Sequence, residues 1–287
     1  MMDQQNEVKK PVLLLKYDYV ARKVFSDPND QDIVIDFISS VIEIPASEFA
    51  SIQVADPALI RDFPEDKTVI LDVRVITKSG HSVDIEIQRA PHIGFIDRTI
   101  FNNAKNLTKQ LARGDQYCKI NRSISIIIVD FPLFDDDRYT HRFMYYDEAM
   151  QIKLSDITEL NYLELKKLPQ ESDGSELYGW LGLFNAQTEE EMDAIAKDNP
   201  IYKKAVMKVI EMSQDEKERR YAEAEEKQRF REVNLYYTGQ LEGRTEGRAE
   251  GQAETTVALA RKMKAKGYAI ADIAELSGLS ADEIEKL

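Results

Sequence analysis

The stretch that decides the fold is VILDVRVIT (Val69–Thr77), then Lys78-Ser79-Gly80, then HSVDIEIQ (His81–Gln88). Both flanking runs alternate strictly. Val69, Leu71, Val73 and Val75 give the first an apolar face, and Val83, Ile85 and Ile87 do the same for the second. Period two over this length predicts paired β-strands with one buried face. A three-residue loop with glycine in the left-handed position closes such a hairpin, and Gly80 stands there. That register pairs Thr77 with His81, Arg74 with Asp84 and Asp72 with Glu86. The second pair is complementary. The third sets like charges opposite one another, which is destabilising across a sheet, and a divalent cation between them would remove the conflict. A slip of one residue would separate Asp72 from Glu86.

Working outward, Tyr17–Phe25 and Gln31–Ile42 read as amphipathic helices separated by Asp27-Pro28-Asn29-Asp30, and Phe49–Val54 as a short strand. After the hairpin, Phe95–Arg113 reads as a helix stopped by Gly114. Arg122–Phe131 is a nearly continuous apolar strand of the kind buried on both faces. His141–Tyr146 and Glu159–Leu165 alternate as further strands. This order predicts an α/β fold, a mixed sheet with helices on its faces.

From about residue 175 the chain is helical in composition, and Ile201–Gln240 is a long charged stretch whose mixed signs predict a solvated helix face. Glu242–Glu254 repeats every four residues, with Gly243, Gly247 and Gly251 in step. Three glycines cost a helix about 1 kcal/mol each against alanine, so a semi-flexible linker is expected. Thr256–Leu287 holds three short helical pieces punctuated by Gly267 and Gly278, with Ser280 and Glu283 placed as a capping box. They are arranged like a helix-turn-helix. Its last helix carries Asp282, Glu283 and Glu285 against one lysine, which favours a protein-binding or regulatory module over a base-reading one. The divisions expected are therefore 1–170, 171–241, 242–255 and 256–287.

The chain has 287 residues and a net charge of −14, which argues against non-specific coating of nucleic acid but leaves room for a local basic site. The single cysteine, Cys118, excludes an intrachain disulfide and a cysteine-rich metal site, and it reads as a buried or neutral thiol. Trp180 reads as core. Three widely spaced histidines make no zinc motif. There is no phosphate-cradling glycine loop, dinucleotide fingerprint or nucleophile elbow. No apolar run approaches a membrane span or a signal-peptide core, so the expectation is a cytoplasmic protein without membrane contact.

Asp72 and Glu86 supply the carboxylate pair that Mg2+ (or Mn2+) would take, with the backbone carbonyl of Ile87 as a third oxygen. Gln88, on the same face as Glu86, could orient water or contact phosphate. Asp18 is a candidate outer acid. Arg98, Lys105, Lys109 and Arg113, spaced by seven, four and four, form a helical stripe. It lies in the most basic window of an acidic chain, suited to a DNA backbone.

The runs LDVRV, GHSVDIEIQ, QLARGDQY and SISIIIVDF, with the opening KYDYVARKVF and the later LNYLELKKL, resemble the recombination-promoting nuclease and transposase family of the PD-(D/E)XK superfamily. The resemblance is good over residues 15–168 and looser beyond. It implies a restriction-endonuclease-like core followed by a helical C-terminal region, and Mg2+-dependent DNA cleavage. It matches Asp72 and Glu86 to the motif's acids, places Gln88 where the superfamily name has lysine, and aligns Arg98, Gln110 and Tyr117 with the family's helix and loop. Two alternatives stand beside a DNA endonuclease. One is a catalytically inactive, oligomeric DNA-binding or regulatory protein on the same fold. The other is an interaction scaffold in which the helical tail forms a homo-oligomer.

Overall fold

The computed structural model describes residues 11–42, 44, 46–49, 53–55 and 73–287. Two compact units divide between Gln228 and Arg229. The first is built on a six-stranded sheet of β1 (Gln53–Ala55), β2 (Val73–Ile76), β3 (Ser82–Gln88), β4 (Ser123–Val129), β5 (Thr140–Tyr146) and β6 (Lys153–Glu164), in the order β1-β2-β3-β4-β6-β5. β3, β4 and β6 run parallel, while β1–β2, β2–β3 and β5–β6 are antiparallel. A parallel β3–β4 pair needs a crossover, and helix α3 (Phe95–Thr108) lies in that connection.

The register of the hairpin is the one its alternation predicts. Val73 faces Ile85, Arg74 faces Asp84, and the Thr77 amide donates to the His81 carbonyl at 2.9 Å. Gly80 closes the loop at φ +85°. The expected pairing of Asp72 with Glu86 lies outside the described residues. β4 is buried at all seven positions, because both faces of the sheet are covered. One face packs Val73, Val75, Val83, Ile85, Ile87, Ile124, Ile126 and Ile128 against α1 (Asp18–Phe25), α2 (Gln31–Val41), and residues of α4 (Glu176–Asn185), α5 (Glu189–Ala196) and α6 (Pro200–Gln214). Trp180 sits at its centre, fully buried among Phe25, Phe37 and Tyr202, with its indole N–H on Asp36 Oδ2 at 2.8 Å. The opposite face carries a smaller core of Phe95, Ile127, Val129, Phe131, Leu160 and Tyr162 beneath α3 (Phe95–Thr108).

Helix α6 ends at Gln214, and α7 (Glu216–Ala265) starts anew because Asp215 Oδ1 accepts from the Lys217 and Glu218 amides at 2.8 and 2.9 Å. The charged stretch is therefore two helices. The start of α7 is tied to α1 by Tyr19–Glu218 (2.9 Å) and Arg22–Glu225 (3.0 Å), and Glu226 pairs with Arg89 just beyond β3. These partners are a reason that face is not simply solvated.

Glu242–Glu254, expected as a semi-flexible linker, is instead helix within α7. Between its glycines stand Arg-Thr-Glu and Arg-Ala-Glu, mostly strong helix formers, and Thr245 and Thr255 turn their hydroxyls back on carbonyls four residues earlier. In the second unit, α8 (Ile270–Ser277) and α9 (Ala281–Lys286) enclose a core of Ala260, Ile273 and Ile284. Gly278 ends α8 at φ +74°, and Ser280 with Glu283 completes the capping box. Lys264 Nζ caps the far end of α9, donating to the Ile284 and Glu285 carbonyls at 3.0 and 2.7 Å. Ser280→Ala is expected to cost this module about 1 kcal/mol, read as reduced hydrogen-exchange protection of α9 with the sheet amides unchanged.

Candidate active site

The face of β3 turned toward α3 carries Asp84, Glu86 and Gln88, because side chains two apart on a strand share a face. Their surroundings differ. Asp84 is 1% exposed. Its Oδ1 accepts from Arg74 Nε at 2.6 Å and its Oδ2 from Asn106 Nδ2, while Arg74 also donates to the Asn106 amide oxygen. Burial outweighs these partners and pushes the Asp84 carboxyl up to about 6. The complementary pair read from the sequence is thus a closed, buried triad.

Glu86 is more open, its side chain 12% exposed. Arg98 Nη2 donates to its Oε1 and, at 2.9 Å, to the Gln88 amide oxygen. Gln88 Nε2 donates to the Ala90 carbonyl at 2.8 Å, so the amide is held at both ends. Burial raises the Glu86 pKa, Arg98 opposes the rise, and the charges of Asp18 and Asp84 add to it. Asp18, in the first turn of α1, therefore lies close enough to act on Glu86 electrostatically. The Ile87 side chain points the other way, into the main core.

Helix α3 reaches the sheet with polar side chains. Thr99, Asn102, Asn103 and Asn106 are buried, whereas Ile96, Ile100 and Phe101 are exposed. This inverted amphipathicity follows from what α3 covers. Asp84 requires Asn106, Ser125 Oγ receives the Asn103 amide at 2.9 Å, and Thr99 shares a 2.5 Å hydrogen bond with the Tyr162 hydroxyl. The helix stops at Thr108, short of the expected Arg113. Asp115 Oδ2 holds the Ala112 amide at 2.8 Å and Gln110 Oε1 holds that of Asn121 at 2.7 Å, turning the chain away. The basic stripe is corrected accordingly. Arg98 and Lys105 lie on α3, Lys109 caps it, and Arg113 is exposed in the turn beyond. Cys118 is exposed in the same connection rather than buried.

Asp130, which the sequence pattern does not single out, follows β4 directly, its amide donating to the Gln88 carbonyl at 3.0 Å. Its carboxylate is flanked by Lys16 at 3.0 Å and Lys166 at 3.1 Å. These partners are more than thirty residues away in sequence and carry no local signature. Tyr162 was also missed, although Thr99, Asn103 and Asn106 at helical spacing form a legible polar stripe.

Among the described residues no group of three or more His, Cys, Asp or Glu forms a metal cage, and Asp72 lies outside them. The donors present nevertheless suit Mg2+. The Glu86 carboxylate is a hard oxygen donor, with the Gln88 amide oxygen on the same face and the charge of Asp18 reaching Glu86.

A hairpin continued by parallel strands, helices on both faces, and an acid with an amide two residues on together define a restriction-endonuclease-like core. The chain belongs to the family described as PD-(D/E)XK nuclease family transposase, whose model matches residues 15–237. This membership points to a nuclease-like or mobile-element role. No curated protein and no solved structure gives a significant match. Among the described residues no helix is long and apolar enough to cross a membrane.

Proposed function

We propose that this chain is a Mg2+- or Mn2+-dependent DNA endonuclease acting in the cytoplasm, in recombination or on mobile elements. The observation that carries the reading is Glu86, a nearly buried carboxylate beside Gln88 and within electrostatic reach of Asp18. A buried acid facing like charges is costly to ionise, and such sites cluster where a cation or a reaction uses them.

Asp72, Glu86 and the Ile87 carbonyl would hold the ion, which when bound lowers the pKa of a water and neutralises charge on the phosphate. Gln88 has no acid–base capacity. Its amide would orient the attacking water or contact the phosphate. Asp18 supplies negative charge at the rim, and Lys105, Lys109 and Arg113 would meet the DNA backbone. A homo-oligomer would form through the helical C-terminal region.

A second reading, an inactive DNA-binding or regulatory protein, is favoured by one observation. Gln88 stands at the lysine position and both ends of its amide are engaged. Nicking of supercoiled plasmid by the wild type and by Asp72→Ala, across several divalent metals, separates the two. Metal-dependent nicking lost in the variant supports the nuclease. Equal activity in both sinks the catalytic assignment, and no activity in the wild type with any metal favours the second reading.

A further inference from the structure

We propose that Arg98 is a positioning residue that locks Glu86 and Gln88 into one geometry for the metal, rather than a contact to the DNA backbone. The inference rests on the nuclease reading and deepens it. One nitrogen, Nη2, donates to both Glu86 Oε1 and Gln88 Oε1. Side chains at i and i+2 of a strand stand about 6.6 Å apart along the chain, so a single donor between their tips draws them together.

The guanidinium is itself fixed. Its Cζ lies 5.3 Å from the centroid of the Phe95 ring, and Phe95 is buried edge-on against Phe131 at 5.9 Å. Its Nε is buried without a hydrogen-bond partner, so this edge of the fork is turned into the protein. An arginine serving only a phosphate would direct its donors outward. Arg98 instead starts from the first turns of α3, its amide on the Gly94 carbonyl at 2.9 Å, and points its charge at β3. The planar fork matters, because the compact ammonium of a lysine offers no rigid plane to stack on Phe95 while bridging two acceptors. Losing a partner that orients metal ligands in this way typically costs about 10- to 100-fold in affinity for the ion.

The test is Mn2+ binding to the full-length protein without DNA, followed by paramagnetic resonance or calorimetry, for wild type, Arg98→Gln, Arg98→Lys and Glu86→Gln. DNA affinity against salt is measured in parallel without divalent metal. The expected result is a loss of Mn2+ affinity of about 10- to 100-fold in Arg98→Gln, only partly restored in Arg98→Lys, with the salt dependence of DNA binding unchanged. Thermal melting of the metal-free variants shows whether the fold survives. If Arg98→Gln is unfolded, the Arg98→Lys comparison decides by the same criterion. Mn2+ binding that needs Glu86 but is indifferent to Arg98, with a shallower salt slope for DNA, overturns the positioning role and restores Arg98 to the backbone. Wild type that binds no Mn2+, or binds it equally in Glu86→Gln, overturns the nuclease reading itself.

Discussion

Glu86→Gln is expected to lose metal-dependent DNA cleavage by at least about 10²–10³-fold while its metal-free form melts at or above the wild-type temperature. The substitution is isosteric and removes one negative charge. That charge is nearly buried, faces Asp18 and Asp84, and has a raised pKa because burial outweighs Arg98. Taking it away relieves a desolvation cost. Arg98 loses an ion-pair partner, but its side chain is 40% exposed, so the freed donor meets water in place, and Gln88 still accepts from it. Stability is therefore preserved or raised. On the proposed nuclease reading, activity falls because a neutral amide is a poor substitute for a carboxylate on Mg2+. Opposed signs of this kind mark a residue kept for chemistry rather than for folding. Plasmid nicking over a Mg2+ titration, paired with thermal melts in chelator, reads both. Retained cleavage, or a melting point several degrees lower, would remove Glu86 from the proposed role.

The hairpin was legible because period two leaves little freedom. Once Gly80 fixed the loop, Arg74 had to face Asp84, as it does. Strand β4 was legible for a similar reason, since a continuous apolar run of that length is buried on both sides. Less could be read where the relevant face was polar. Strand β6 begins at Lys153 rather than Glu159, and its first half is largely exposed and lacks the apolar alternation that would reveal it. Helix α3 shows the limit most clearly. Charge at helical spacing identifies a face but not the direction in which it points. Spacing alone turns the stripe from Arg98 to Arg113 toward DNA, yet Arg98 turns to Glu86 and Gln88. The helix is inverted because the sheet beneath it presents carboxylates and hydroxyls, so Asn and Thr face inward and Ile96, Ile100 and Phe101 outward. Asp130 with Lys16 and Lys166 was invisible for another reason. It is assembled by the fold from the segment before α1, the end of β4 and the turn after β6.

Asp84→Ala is expected to destabilise the protein by about 3–5 kcal/mol at neutral pH, the cost of breaking a buried ion pair from one side. Arg74, with its side chain 17% exposed, would keep only the Asn106 oxygen, and Asn106 Nδ2 would lose its acceptor. Because Asn106 belongs to α3, the damage extends to the docking of that helix and thus to Arg98. The pH dependence has a definite sign. The Asp84 pKa rises from its ordinary 3.8 to about 6 in the folded chain, mainly through burial, so the folded state holds this proton more tightly than the unfolded state does. The associated stability is fully present below 3.8 and is lost as pH climbs through about 6. Asp84→Asn cannot titrate. The wild type should therefore lose stability relative to Asp84→Asn between pH of about 4 and 6, measured by urea unfolding in metal-free buffer. A wild-type advantage that grows over this window would show that Arg74 and Asn106 outweigh burial, and a loss below about 1 kcal/mol in Asp84→Ala would place the pair among weak surface bridges. The expected losses divide the two carboxylates on one face of β3 as the geometry divides them. Asp84, closed by Arg74 and Asn106, holds the hairpin to α3, while Glu86, more open and held by Arg98, is left for the ion.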